Sequence, residues 1–389
     1  MAVRSLQSIL AAVLSVCMPF NATISIAQEE HGKSKKEGFK AAEVIFDHIL
    51  DNHDFHFFDI PGENGEKQPV SIPLPVILYS PESGFSYFMS SKFHHGHQAH
   101  DGYRLLDHHF MEEHGLDKVK TAKGQPVYSV GTIYKVDSKG MPDLTKKVYD
   151  FSLTRNVVQM MLALAILVII LLRIAKKYRT GAGVKTAPKG SQNLMEPVIT
   201  FVRDEVAKPN LGHKADKYLP YLLTVFFFIL INNIFGLIPG SANVTGNIAF
   251  TVVLGLISFI VILFSSNKHY WLHIFNPPGV PLGIKFILVP VEFLSLFIKP
   301  VALIIRLFAN MVAGHIIIIC LISLIFIFAQ MHPAAGWGSS LISVAFTIFI
   351  YFIEVLVAFL QAFIFTMLTA VFIGQAIEGA HHEGEAAHH

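Results

Sequence analysis

Two apolar runs near the carboxyl end constrain this chain more than anything else in it. Phe286 to Phe328 is about 43 residues long, roughly 64 Å as a helix and twice the thickness of a bilayer core. It cannot be one upright span, so a hairpin or a pair of strongly tilted helices is required. Pro290 and Pro300 offer places to bend. Leu341 to Ile377 is again too long for an upright crossing and needs tilt. Both runs carry groups that lipid disfavours: Arg306, Asn310 and His315 in the first, Glu354 and Gln361 in the second. Glu354 and Gln361 are seven residues apart, about two helical turns, and so face the same way. An arginine at membrane depth costs from about 3 to more than 10 kcal/mol, which makes it a functional-site candidate by default. It stays protonated, so it serves as a fixed charge and not as a proton relay. The bland reading is an arginine that snorkels to a headgroup or pairs within a bundle. A base, an acid, two amides and a permanent cation on two apolar segments nevertheless suit the wall of an ion pathway better than a lipid-facing surface.

Of the 389 residues, 52% are hydrophobic and 15% charged, with 33 phenylalanines, too apolar a balance for a soluble globular protein. The formal net charge of +2 hides a strong asymmetry along the chain. The basic residues form no aromatic-interleaved patch, so no nucleic-acid footprint is visible. Of two cysteines, Cys17 lies in the leader and Cys320 in an apolar helix, expected to be buried, which excludes an internal disulfide and a Cys-based metal site.

Residues 1–27 read as a signal peptide, with Arg4, an apolar core from Ile9 to Phe20, and Ser25-Ile26-Ala27 as the cleavage site. Residues 28–150 are polar and precede the first long span, which predicts a small extracytoplasmic domain. Turn residues between short β-prone runs in "PGENGEKQPVSIPLPVILYSPESGF" and "PVYSVGTIYKVDSKGMPD" predict hairpins. Ala41 to Asn52 has helical spacing of apolar residues. The domain is rich in histidine: His48, His53 and His56, then "HHGHQAH" from His94 to His100, then His108, His109 and His114. These could bind zinc or copper or buffer protons at a channel mouth, but without ordered ligand spacing a solvated loop is the preferred reading and no metal site is assigned.

Val157 to Leu172 is the first span, extended back to Leu153, and Arg173, Lys176, Lys177, Arg179, Lys185 and Lys189 follow it without an acid. Such a block belongs in the cytoplasm, so the amino-terminal domain is expected outside. Gly181 to Gly190 is a flexible linker, and Asn193 to Lys208 is an amphipathic surface helix or the lead-in to the next span. Tyr218 to Leu237 should span outward, Pro239 to Asn247 turn, and Ile248 to Phe264 span back to an interface marked by Lys268, His269, Tyr270 and Trp271. His332 to Ser340 is the next turn, and the tail, 379–389, is polar. The expected fold is an all-α polytopic membrane protein over 151–378. It has about five membrane segments, two of them long tilted helices or hairpins, and a small extracytoplasmic domain with some β structure.

The run "KPVALIIRLFANMVAGH" (Lys299 to His315), followed by "EVLVAFLQAFIFTMLTAVFIGQA" from Glu354, resembles subunit a of the F-type ATP synthase. "NNIFGLIPG" (Asn232 to Gly240) and "SANVTGN" (Ser241 to Asn247) resemble that family's earlier spans, and the likeness covers roughly Phe151 to Glu378. The resemblance implies a proton-translocating stator subunit in a bacterial inner membrane. Its partners would be a ring of c-type subunits, b-type peripheral-stalk subunits and the remainder of the synthase, and it would carry no cofactor. Two half-channels would meet the ring, with Arg306 facing the ring carboxylate between them. In many relatives the position of His315 holds a glutamate and that of Glu354 a histidine, so here the two are exchanged. The pair is expected to sit close together along the outer half-channel, since an acid and an imidazole relay a proton in either order. Asn310 and Gln361 would hold water or orient the arginine. Glu292 and Lys299, two turns apart, would pair structurally or serve the inner half-channel. On an ideal helix His315 points opposite to Arg306.

Three other readings compete. A sodium-driven version differs mainly in the partner ring. An independent channel or secondary transporter would carry inverted repeats, and none is evident. A metal-binding envelope protein would leave the polar groups of the later spans unexplained. The chain has no Gly-rich nucleotide loop, so ATP chemistry would fall to a partner.

Overall fold

A computed structural model describes residues 51–378, except 62–66, 97, 120–126, 138–139, 182–189, 239–240 and 278–279. The leader, His48, His97, the tail, nearly all of the 181–190 linker and the helix expected over Ala41 to Asn52 lie outside these, save Asp51 and Asn52, which are not helical.

The amino-terminal domain is built of small antiparallel sheets, as the turn-rich runs predict. β1 (Asp54–Pro61) pairs with β2 (Lys67–Pro73). β3 (Pro75–Ser80) lies between β4 (Gly84–Met89) and, later in the chain, β7 (Tyr149–Asp150). β5 (Tyr103–Leu105) pairs with β6 (Ile133–Lys135). The alternation of β3 sends Val76 and Leu78 into a core with Phe93, Tyr103 and Ile133. A second cluster, Leu106, Phe110, Met111 and Leu116, forms around α1 (His108–Glu113), capped by Asp107 Oδ1 accepting from the Phe110 N–H at 2.8 Å. Among the described residues no three His, Cys, Asp or Glu side chains converge on a metal position.

The domain ends by gripping the first membrane helix, α2 (Arg155–Arg179). The first N–H groups of a helix have no partner within it. Here the Arg155 N–H donates to the Asn52 carbonyl at 2.9 Å and the Asn156 N–H to Asp51 Oδ1 at 3.2 Å. Asp51 and Asp54 supply counter-charge for the Arg155 guanidinium, a residue only 5% exposed. One turn further in, the Gln159 side chain clamps the backbone of Ala242: its Oε1 accepts from the Ala242 N–H at 2.7 Å and its Nε2 donates to the Ala242 carbonyl.

Among the described residues, five helical segments are long and apolar enough to cross a membrane. After α2 come α3 (Ser191–Phe201), a π-helical turn (Val202–Ala207) and one turn at Lys208–Leu211. α4 (Ala215–Gly236), α5 (Ile248–Ser265) and the short α6 (Lys268–Phe275) follow. The stretch expected as a surface helix or as the lead-in to the next span is the lead-in: Leu194 is exposed, but Val202, Val206 and Ala207 are fully buried in the main core with Leu222, Phe226 and Phe365. α7 (Leu282–Met331) and α8 (Pro333–Glu378) complete the bundle.

The run around Arg306 forms no hairpin of its own. α7 is one helix of 50 residues, about 75 Å of rise, and passes through Pro290 and Pro300 without a break. A proline removes one ladder hydrogen bond, and in an otherwise apolar helix the remaining bonds are too costly to abandon in lipid. The hairpin is instead formed by α7 and α8, and the turn expected over nine residues shrinks to His332, whose Nδ1 caps the Ala334 N–H at 3.1 Å. Gly336 permits this: a Cβ there would strike Ala329 of α7. Three contacts fix the antiparallel register, Gly336 against Ala329, Glu354 against Gly314, and Gln375 against Lys299. Cys320, expected to be buried, is exposed on α7, where lipid or a partner would meet it.

The bundle has two chemically distinct ends. At one lie the amino-terminal domain, Gln159 and Ala242. At the other, Asn267 of the α5–α6 junction caps α8, its N–H donating to Ala376 at 3.0 Å and its Nδ2 to Ile377 at 2.8 Å.

Gln159→Ala leaves a buried N–H and C=O of Ala242 without partners and should cost on the order of 1–3 kcal/mol. A lowered thermal midpoint of the detergent-solubilised complex checks this, and an unchanged midpoint would refute the clamp. At the domain junction, His53 Nε2 lies 2.7 Å from Asp150 Oδ2. Burial pushes the Asp150 carboxyl up, but hydrogen bonds from His53 and Ser152 outweigh it and hold the group below its ordinary range. A carboxyl depressed in the folded state adds stability above its unfolded value, about pH 4, and gives it up as pH falls through the folded one. Amide protection of Phe151 and Leu153 should therefore drop in acid, and Asp150→Asn should remove that acid dependence. The same acid loss in the variant would assign it to another group.

A candidate ion pathway along the paired long helices

The inner side of α8 carries a row of small and polar residues beside larger apolar ones such as Phe365 and Ile373. Glu354, Ala358, Gln361, Ala362, Thr366 and Ala370 recur at helical spacing and are all buried. Glu354 is 6% and Gln361 5% exposed, on the same buried side, as their spacing predicts. The Glu354 carboxyl rests on the backbone of Gly314: a Cβ at that position would occupy the space of its carboxyl carbon and oxygens. That brings the acid to the residue immediately before half-buried His315.

Two buried asparagines bracket this seat one turn away. Asn233 Nδ2 donates to the Ala358 carbonyl at 3.1 Å, and Asn243 Nδ2 to the Met311 carbonyl at 3.4 Å. With Asn232 and Gln159 they put four amides on the side of the bundle that adjoins the amino-terminal domain. Sequence reasoning assigned none of these a role. The available signal was the run of amides in "NNIFGLIPG" and "SANVTGN", flanked on both sides by apolar spans.

Arg306 sits differently. The buried side of α7 is Leu303, Leu307 and Met311, and Arg306 lies off it, exposed, one turn before half-buried Asn310. Among the described residues it has no ion or hydrogen-bond partner. Its neighbours Val301 and Ile305 are also exposed, 49% and 56%. A lone guanidinium on an apolar surface marks a place where something polar must come to meet it. His315, nine residues on, lies toward the other side of the helix.

At the end far from the amino-terminal domain, Lys299 Nζ donates to Gln375 Oε1 at 3.3 Å and sits 5.1 Å over the Phe372 ring. Glu292 Oε1 lies 3.5 Å from His273 Nδ1 of α6. The expected Glu292–Lys299 pair is therefore not made. The two share a face, but about 10 Å of helical rise separates them, and each has a nearer partner on another helix. By axial rise, Arg306 lies about 12 Å from the Gly314–Glu354 contact and about 10 Å from the Lys299–Gln375 contact. Interpolating the antiparallel register brings Gln361 within about one turn of the Arg306 level. The arrangement is two polar groupings toward opposite ends, with an unpartnered cation between them on the open side.

The family model described as "ATP synthase A chain" matches residues 157–374. A second model, "Domain of unknown function (DUF8433)", matches 44–151. "ATP synthase subunit a" of Chloroherpeton thalassium is 46% identical over 252 residues, covering 64% of this chain and 74% of the relative. The protein of that name from Chlorobium phaeobacteroides is 46% identical over 257 residues, covering 64% of this chain and 73% of its own. "ATP synthase subunit a 2" of Chlorobium luteolum is 41% identical over 298 residues, 76% of this chain and 81% of the relative. With a family model over more than half its length and relatives of this similarity, the chain belongs to the ATP synthase A chain family.

Proposed function

We propose that this multi-pass membrane chain is the proton-translocating stator subunit of a rotary ATP synthase, not a site of ATP chemistry. It works beside a ring of c-type subunits and is held by b-type stalk subunits. The observation that carries this reading is the position of Arg306, exposed and unpartnered among the described residues, between polar groupings about 10–12 Å away on either side. Intervals of about 10–12 Å on either side of Arg306 suit a carrier that takes the proton past it. The permanent charge favours the ionised carrier carboxylate as it passes and blocks direct leakage. Glu354 and His315 serve the half-channel on the side of the amino-terminal domain, helped by Asn233 and Asn243. Glu292 and Lys299 line the approach from the other end, and Asn310 and Gln361 orient the arginine or hold water beside it. A potential of 100 mV supplies about 2.3 kcal/mol per proton.

The basic block from Arg173 to Lys189 favours a cytoplasmic end for α2, which puts the amino-terminal domain outside and the end of α8 inside. The capping of α8 by Asn267, at the end opposite the amino-terminal domain, supports the same orientation. Bacterial relatives favour the inner membrane.

In vesicles carrying the assembled complex, Arg306→Ala should abolish ATP-driven proton pumping and raise passive proton permeability; pumping at the normal rate would make Arg306 a structural residue. Glu354→Gln should slow pumping on the order of tenfold or more, because an amide cannot relay a proton. Gly314→Ala, which displaces the Glu354 carboxyl without removing it, should slow pumping in the same direction. Full activity of Gly314→Ala would mean that the seat of the carboxyl does not matter.

A further inference from the structure

The three-stranded β4–β3–β7 sheet has one face too many that is apolar. Its inner face, through Val76 and Leu78, fills the domain core. In such a sheet the other face is ordinarily polar and meets water. Here the outward positions pair Ile77 with Tyr87, Tyr79 with Phe85 and Tyr79 with Tyr149. Phe85, Tyr87 and Tyr149 are 59%, 69% and 48% exposed. The rings touch each other, with centroids 4.8 Å apart for Tyr79–Phe85 and 6.0 Å for Phe85–Tyr87, so they form one continuous patch without a charge in it. Patches of this kind mark interaction surfaces.

The chain itself indicates what covers it. Beyond β7, the Phe151 N–H donates to the Ile77 carbonyl at 2.9 Å and the Leu153 N–H to Pro75 at 3.2 Å. The strand therefore stays locked to β3 until two residues before α2 begins at Arg155. Phe151, 61% exposed, can be no further than about 14 Å from that first helical residue. Outward-facing residues of α2 are already apolar at Met161 and Leu162, 56% and 54% exposed, where the lipid-facing surface of the bundle starts. Between the two, Arg155, Asn156 and Gln159 turn inward and are buried. An aromatic, tyrosine-containing surface held this close above the start of a membrane helix matches the headgroup layer, where amphipathic rings are most stable.

We propose that the outward face of this sheet rests in the headgroup layer of the adjoining leaflet, with phospholipid as its occupant. The domain then sits on the membrane by this face. Lipid contact and the Asp51–Asn52 cap together hold the start of α2.

The test uses the whole complex in phosphatidylethanolamine–phosphatidylglycerol vesicles. Tyr87→Cys, in a chain with Cys17→Ser and Cys320→Ser, carries an environment-sensitive fluorophore. Lipids with a nitroxide high on the acyl chain should quench it about twofold more than lipids with a deep nitroxide, and iodide should quench it several-fold less than the free dye. Phe85→Cys, also on the outer face, gives the same readout if Tyr87→Cys does not assemble. Free access to iodide would mean the face meets water. Shielding from both quenchers would mean that protein covers it. Either result overturns the proposal.

Discussion

In hydrocarbon a polar group has no water to fall back on, and the packing of α7 against α8 answers that constraint at its most demanding point. The Glu354 carboxyl is accommodated because Gly314 lacks a side chain, and the alanines around Gln361 let neighbouring backbones come close. Asn233 and Asn243 then spend their amide donors on carbonyls of those two helices, which ties α4 and the turn after it to the same seat. Remove the small residues and the acid loses its place. Remove the acid and the glycine loses its reason.

Charge is distributed along the pair by the same logic. Lys299 and Glu292 are drawn to Gln375 and His273 on other helices and contribute to cross-links at one end. Arg306 is left over, and its exposure among apolar neighbours is an instability for the isolated chain. Under the proposed function, a passing partner would complete its interaction.

Much of this could be read from the residues alone. The two long runs, the five spans and the presence of polar residues at 306, 310, 315, 354 and 361 within them are composition and period, and they reappear in the fold with longer helices than the runs suggest. What could not be read depended on contacts between segments. The prolines at 290 and 300 carry a strong local signal for bending, yet the helix continues because lipid makes an open ladder costly. Seven-residue spacing puts Glu292 and Lys299 on one face but says nothing of nearer partners on α6 and α8. Gln159 looks like any amide at the start of a span; its clamp on Ala242 needs two segments 83 positions apart to meet. Of the two readings open for Asn193 to Lys208, the lead-in to the next span is the one the fold takes, since its second half has a bundle to pack against.

The junction of α7 and α8 at a single residue, His332, has a mechanical consequence. Two rods of 50 and 46 residues joined without slack, and touching beside the turn, at Gly314 and again at Lys299, cannot slide past one another. A slip of one residue would shear every contact along the seam by about 1.5 Å at once. Bending stiffness therefore belongs to the pair: a sideways load on the rod that bears the arginine is shared by the rod that bears the acid. The hairpin behaves as a laminated beam, stiffer than either ply.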